Sequence, residues 1–224
     1  IHGGGMDLKF PHHENEIAQT CGASDAKFAR LWMHNGFVNI DNEKMSKSLG
    51  NFFTIREIFE KSEWSEDVTG EILRYFLLST HYHGPLDFSD HALKKAKNAL
   101  NGFYDLFGRL AEPGGHTTPD QSLSQALDRC RVAFRAAMDD NLNTPVAIAA
   151  LQGLRNDVNK LTETGLSSEG RKQVRQEFRS LGNIFGLFQS DKWQFGSIVV
   201  PIGQAQETDK ALPIGVKKSG LSDH

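Results

Sequence analysis

Two stretches of this 224-residue chain hold residues whose types and spacing suit chemistry. The first runs Gly3-Gly4-Gly5-Met6-Asp7 and on through Pro11-His12-His13-Glu14-Asn15-Glu16. Three glycines let a backbone come close to a ligand, and Asp7 just after them offers an acceptor for an ammonium group. On a helix opened by Pro11, His12 and Glu16 stand four apart and share a face. An imidazole nitrogen beside a carboxylate oxygen is a two-ligand pincer suited to zinc, which needs further ligands to complete its tetrahedron. His13 and Glu16, three apart, form a competing pincer, and a solvated His–Glu pair is the plain alternative to both.

The second stretch is Lys44-Met45-Ser46-Lys47-Ser48, followed by Leu49-Gly50-Asn51. Lysine ammoniums are compact cations on flexible stems that reach phosphate oxygens. In a nucleotidyl transfer, charge builds on the α-phosphoryl oxygens and the leaving pyrophosphate. Lys44 and Lys47 on a mobile loop can follow and neutralise that charge. Small hydrogen-bonding residues such as Ser46, Ser48 and Gly50 suit such a loop, and they suit an ordinary solvated turn equally.

The elements that must position these groups change character along the chain. From Ile1 to about Phe53, short apolar segments alternate with glycines and polar clusters. A helix is expected from Pro11 through Cys21, and Leu31 to Ile40 gives one or two short strands around Asn35-Gly36. Another helix begins at Ile55–Phe59, and the strongly apolar stretch Glu71–Ser79 gives a buried one. This alternation predicts α/β architecture. From Leu93 the period is helical throughout: Leu93, Ala96, Leu100, Phe103, Phe107 and Leu110 form one stripe. Residues 111–119, with Pro113, Gly114 and Gly115, read as a loop. Leu123, Leu127, Cys130, Phe134 and Met138 mark a second helix. Thr144-Pro145 reads as an N-cap and first-turn proline for a third, carrying Leu151, Leu154, Val158 and Leu161. Val174, Phe178, Leu181, Ile184, Phe185 and Phe188 mark a fourth. Four such helices with short links predict an antiparallel bundle. Beyond Gln189 the pattern fades, with one short strand expected at Ile198–Ile202.

Composition narrows the class. With 38% hydrophobic and 24% charged residues the chain fits a globular protein. A net charge of −3 excludes an overall basic, DNA-coating character. No apolar run approaches the roughly 20 residues that cross a bilayer, and no basic-then-apolar leader is visible. Two cysteines far apart, Cys21 and Cys130, exclude a disulfide framework and point to a reducing cytoplasm. Both are expected to be buried as small apolar groups. Ile1-His2 running straight into three glycines looks like a strand end, so a fragment of a longer protein is expected.

As a string, Lys-Met-Ser-Lys-Ser is the second signature of class I aminoacyl-tRNA synthetases. Taken with the glycine–HHENE stretch, the helix Glu71–Tyr82 and Met-Asp-Asp-Asn-Leu-Asn-Thr-Pro at 138–145, residues 1–189 resemble the cysteinyl-tRNA synthetase family. The resemblance implies the carboxyl-terminal part of a Rossmann-type catalytic domain over 1–53. It further implies a stem-contact region over 54–92, an all-α tRNA-binding bundle over 93–190, and a divergent or disordered tail over 191–224. It implies ATP-dependent activation of L-cysteine, with Mg²⁺, and transfer to tRNA(Cys). Carried over by position, His12 and Glu16 become ligands of a zinc ion that binds the cysteine thiolate, and zinc favours sulfur over a hydroxyl. His2 and Asp7 fall in the amino-acid pocket, Lys47 contacts ATP and Lys44 supports it. His34 lies in the active-site region, whereas His81, His83, His91 and His116 are expected on the surface or in packing. Lys94, Lys95 and Lys97 either touch tRNA phosphates or form a solvated face.

Two departures from the family stand out. An H-I-G-H type motif and two cysteine zinc ligands, which the family carries upstream, do not occur in these residues. The stretch from Gln194 to His224 does not read as the family's charged, anticodon-facing end. The isolated chain is therefore expected not to activate cysteine. Two rivals remain: a ligase joining cysteine to a small amine, which the long bundle disfavours, and a non-catalytic remnant that binds tRNA or a partner.

Overall fold

In the computed structural model the described residues are 1–40, 43–45, 54–113, 121–190 and 193, with Lys44 described by its backbone alone. The amino-terminal part is built from short elements. Strand β1 (His2–Gly5) leads through a tight turn at Met6–Leu8 into a helical segment containing Pro11, which continues as α1 (Glu14–Ala23). Phe10 is extended (φ −141°, ψ 134°) and precedes a cis peptide bond to Pro11. Strand β2 (Trp32–Asn35) pairs with β1 in parallel, setting His2 opposite Trp32 and Gly4 opposite His34.

A second sheet has the order β4-β3-β5. In it β3 (Val38–Ile40) runs antiparallel to β4 (Glu43–Lys44) and parallel to β5 (Leu86–Phe88). The expected single or double strand around Asn35-Gly36 is thus two strands in two sheets. Helix α2 (Ile55–Lys61) opens with a capping box: Thr54 accepts from the Glu57 N–H, and the Glu57 carboxylate accepts from the Thr54 N–H. Helix α3 (Glu66–Leu78) turns Val68, Ile72, Leu73, Tyr75 and Phe76 inward. Leu77, expected to be buried with them, is 49% exposed, because it lies off the stripe that faces the core.

The rest of the described chain is helical: α4 (Asp90–Ala111), α5 (Gln121–Asp139), α6 (Thr144–Thr164) and α7 (Ser168–Phe185). Ser89 caps α4 and Ser167 caps α7. The periodic residues of α4, α5 and α6 face inward as the spacing predicts. A four-residue link holds α5 against α6, and α3 packs along α4. One continuous core runs from Ile40 and Phe88 through α3 into the bundle, so α3 is the plank shared by both parts.

Three local expectations differ from the structure. Thr144 is the first helical residue rather than the cap: Asn143 takes the cap position, and the Thr144 hydroxyl donates to the Leu78 carbonyl at 2.8 Å. Helix α7 stops at Phe185, where Gly186 adopts the left-handed conformation (φ 66°) that a glycine enters without strain. Phe188 is therefore not on the helix. It folds back and is 1% exposed against Phe103, Phe107 and Phe178, while Ile184 points to solvent. Cys130 is buried as expected, with its thiol pushed up to about 12 chiefly by loss of hydration, but Cys21 is exposed because α1 buries no residue. The expected strand at Ile198–Ile202 and most of the loop at 111–119 lie outside the described residues.

Candidate functional site

The parallel register of β1 and β2 explains why the histidines meet. Successive strand side chains alternate faces, so His2 and Gly4 on β1 and Trp32 and His34 on β2 share one face. The helical segment and α1 lie across that face. His2 packs edge-on against His13 (4.8 Å), Phe28 (4.8 Å) and Trp32 (5.1 Å). The Trp32 and His34 rings are parallel, 6.0 Å apart. Gly4 leaves room for its neighbours: a Cβ at that position would come within 2.7 Å of Leu8 Cδ1 and 3.3 Å of the His13 ring, so a larger residue would displace the exposed Leu8 side chain and crowd His13.

At the centre lies Glu16. Its Oε1 is 3.5 Å from His12 Nε2, and its Oε2 is 2.8 Å from His2 Nε2. Oε2 is buried yet accepts no well-directed hydrogen bond despite that short approach. His13 is 3% exposed, and its Nδ1 shares a 2.9 Å hydrogen bond with His34 Nε2. Loss of hydration, then the charges of Lys9, His13, His83 and His2, hold the His34 imidazole below its usual value. The tautomers of the two rings decide which nitrogen of the His13–His34 pair donates.

These donors fit a zinc ion. Two ligands about 2.05 Å from a tetrahedral metal stand roughly 3.3–3.4 Å apart, close to the 3.5 Å between His12 and Glu16. A buried carboxylate oxygen whose one close partner, His2 Nε2 at 2.8 Å, is poorly aligned is under-satisfied, and a cation would relieve that cost. His2, His13 and Glu16 form a second convergent set, with one ligand atom from each lying within 4.8 Å of the others. The structure thus brings His2, His12 and Glu16 together and adds His13, Trp32 and His34. Of these, Trp32 carried no signal noted in the sequence. Its two-residue spacing from His34 on a strand is the pattern that places it on the site face.

Asp7 stands exposed on the turn leaving β1. The backbone of Lys44 in β4 pairs with Asn39 in β3, and the Met45 N–H donates to the Val38 carbonyl (3.2 Å), so the first two residues of the Lys-Met-Ser-Lys-Ser stretch are fixed against β3. Lys47 lies outside the described residues. An apolar hollow of about 410 Å³ opens beside Met45, lined by Val38, Ile55, Phe59, Leu73 and Leu77. Arg74 is the one charged residue in its lining among the described residues, and it contains none of the histidines or Glu16.

The lysine cluster of α4 divides. Lys94 and Lys95 are exposed, but Lys97 is 2% exposed. Its ammonium donates to Asn101 (2.8 Å) and lies over the rings of Trp64 (4.3 Å) and Trp193 (5.1 Å), with burial lowering its pKa. It is a packing cation, inaccessible to a phosphate. No helix of the described residues is long and apolar enough to cross a membrane.

Residues 1–98 match the family described as the tRNA synthetases class I (C) catalytic domain, and residues 133–189 match the DALR domain. Curated proteins named cysteine--tRNA ligase are similar over most of the chain. That of Laribacter hongkongensis is 45% identical over 195 residues, which is 87% of this chain and 38% of the relative. That of Syntrophotalea carbinolica is 46% identical over 197 residues, 85% of this chain and 40% of the relative. That of Azotobacter vinelandii is 42% identical over 213 residues, 94% and 41%. Among solved structures, a LeuRS–tRNA–LeuAMS ternary complex of Agrobacterium radiobacter K84 superposes with a TM-score of 0.59 at 16% identity. It covers 82% of this chain and 25% of that one, and it shows the fold alone. The chain spans about two fifths of the length of the curated relatives it matches. With a catalytic-domain match followed by a DALR match, and more than 40% identity across most of its length, the chain belongs to the cysteinyl-tRNA synthetase family of class I aminoacyl-tRNA synthetases.

Proposed function

We propose that this chain forms one side of the adenylation site of a cytoplasmic cysteine–tRNA ligase, together with its tRNA-binding bundle. In the proposed reaction a carboxylate oxygen of L-cysteine attacks the α-phosphorus of ATP. A new O–P bond forms and the bond to pyrophosphate breaks, giving cysteinyl-adenylate. A hydroxyl of the terminal adenosine of tRNA(Cys) then attacks the acyl carbon, and AMP leaves.

The observation that supports this most is the environment of Glu16: one oxygen 3.5 Å from His12 Nε2, the other buried 2.8 Å from His2 Nε2 without a well-directed hydrogen bond. His12 and Glu16 would hold zinc, with the family's two cysteines from outside these residues completing the site. Bound there, zinc would supply a soft Lewis acid that takes the substrate thiolate and discriminates against serine. His13 would brace the site from below through its bond to His34, since ring orientation is set by the partner of the other nitrogen. His2 and Trp32 would form the walls of the amino-acid pocket, and Asp7 would accept from the α-ammonium. Lys44 and Lys47 would neutralise charge on the phosphates of ATP, accompanied by Mg²⁺.

The test is cysteine-dependent ATP–pyrophosphate exchange by the product of the full reading frame that encodes this chain. Lys47→Ala is expected to lower kcat by about 10²–10³-fold, the usual cost of one electrostatic stabiliser. Unchanged exchange in that variant would remove the lysine loop from the mechanism.

A further inference from the structure

The turn that joins α3 to β5, residues 79–85, touches the strands of the site on one side and the α5–α6 link on the other. On the site side, the Tyr82 carbonyl accepts from the Gly36 N–H at 2.7 Å, and the Leu86 N–H donates to the Phe37 carbonyl at 2.8 Å. Gly36 and Phe37 are the two residues between β2, which carries Trp32 and His34, and β3. On the bundle side, the Tyr82 hydroxyl donates to Asn141 Oδ1 at 2.7 Å, and the Thr144 hydroxyl donates to the Leu78 carbonyl at 2.8 Å. We propose that Tyr82 is a positioning residue of the amino-acid pocket: anchored on the α5–α6 link through Asn141, it sets where β2 presents Trp32 and His34. The inference rests on the assignment of that face to cysteine.

Three observations carry it. The first is that nothing cushions the contact at Gly36. A Cβ there would overlap the Gly84 carbonyl and stand 2.9 Å from the His83 carbonyl oxygen, so two backbones meet directly. A close-packed contact passes on a shift instead of absorbing it.

The second is the stiffness of the turn. The Gly84 N–H donates to the His81 carbonyl at 2.8 Å, and the His83 N–H donates to His81 Nδ1 at 3.2 Å. The Tyr82 ring lies nearly parallel to His81 at 4.9 Å and meets His83 edge-on at 4.3 Å. Hydroxyl, ring and carbonyl of Tyr82 are therefore held as one piece.

The third is that the link has a fixed shape. Asn141 and Leu142 are both left-handed (φ 53° and 55°), a conformation that persists in such residues only where the surroundings impose it. Those surroundings are visible: the Leu142 N–H donates to the Met138 carbonyl at 3.2 Å, the Asn143 N–H to the Ala137 carbonyl at 3.0 Å, and the Asn143 side chain to Asp140 at 3.3 Å. The acceptor that holds Tyr82 thus belongs to the bundle's rigid frame.

A merely stabilising hydroxyl would, when lost, reduce the amount of folded protein and so the apparent kcat, with no change in either KM. A positioning one changes the KM for cysteine. The KM for ATP should stay, because Lys44 and Met45 are fixed to β3, whose pairing with β5 does not involve the Tyr82 hydroxyl. The experiment measures both KM values in pyrophosphate exchange, with urea unfolding alongside, for the product of the full reading frame. Tyr82→Phe and Asn141→Ala should each raise the KM for cysteine by about 2- to 10-fold, the range that one hydrogen bond supplies. The double variant should do no more than the larger single one, since both remove the same bond. Asn141→Asp, which keeps the acceptor, should hold the wild-type KM. Ser167→Ala, which removes the cap of α7, should lower stability and leave both KM values alone.

A wild-type KM for cysteine in both Tyr82→Phe and Asn141→Ala overturns this inference and leaves the proposed function standing. An equal rise in Ser167→Ala also overturns it, since the effect would then be general loosening. Absence of cysteine-dependent exchange by the wild-type protein overturns the proposed function and the inference with it.

Discussion

The bundle and the histidine site solve opposite problems. In α4–α7, Leu100, Phe103, Leu106, Leu127 and Phe178 are wholly buried, and each adds about 1.5–3 kcal/mol of apolar burial. In the β1–α1 region neither element contributes a buried apolar residue. The contacts there are imidazole rings, an indole and a carboxylate oxygen without a well-directed hydrogen bond. The bundle is organised to be stable, and the site is organised around groups that cost stability unless a ligand engages them. Residues that carry the fold and residues that carry chemistry should therefore separate cleanly in experiment.

The largest separation is expected from the bundle. Phe178→Ala removes a ring that meets Phe103, Phe107 and Phe188, and it should cost about 3–5 kcal/mol in urea unfolding. A loss below 1 kcal/mol would mean that the aromatic cluster does not hold the bundle.

A smaller loss, about 2–3 kcal/mol, is expected from Glu71→Ala. This buried carboxylate accepts from the Tyr104 hydroxyl and the Phe188 N–H, both at 2.6 Å, and so ties the chain after α7 to α3 and α4. Burial outweighs those donors and raises the Glu71 carboxyl above its usual value. A raised carboxyl binds more protons in the folded than in the unfolded state. Its contribution to stability is thus fully present below the ordinary carboxylate range and declines as pH rises through the raised value. Denaturation midpoints between pH 4 and 7 should fall less in Glu71→Gln than in wild type. Parallel pH profiles would refute the assignment.

Tyr82→Phe should cost about 0.5–1.5 kcal/mol. Its hydroxyl donates to Asn141 (2.7 Å) and joins the loop before β5 to the α5–α6 link, which carries left-handed backbone at Asn141 and Leu142. Asn141→Asp, which keeps the acceptor, should cost less than Asn141→Ala. The smallest effect is chemical. Thiol labelling of the native protein should modify exposed Cys21 quickly, while Cys130, held to about 12, reacts only on unfolding. Equal labelling rates would place the two thiols in like surroundings.

Legibility followed the same division. Apolar residues at helical spacing state their own burial, so the stripes of α4, α5 and α6 were readable from Leu93 to Val158. Errors collected where a single backbone conformation intervened. Gly186 in the left-handed region ends α7 and turns Phe188 inward, which periodicity alone cannot show. At the site, spacing could pair His12 or His13 with Glu16, because helix neighbours are local. His2, Trp32 and His34 reach the same place only through a parallel strand register across about 30 residues, and no local pattern encodes that pairing. Lys97 failed for a related reason: three nearby lysines look alike in sequence, and only the positions of Trp64 and Trp193 show that one is inside. The lysine loop was readable as a string, and its backbone is anchored at Lys44 and Met45.

The most direct test of the division between stability and chemistry is the zinc content of Glu16→Gln in the full-reading-frame protein, measured alongside its thermal unfolding. Bound zinc should fall from about one per chain to a small fraction, cysteine-dependent exchange should fall with it, and the unfolding of the bundle should not move. Zinc retained at wild-type level, with exchange intact, would contradict the account.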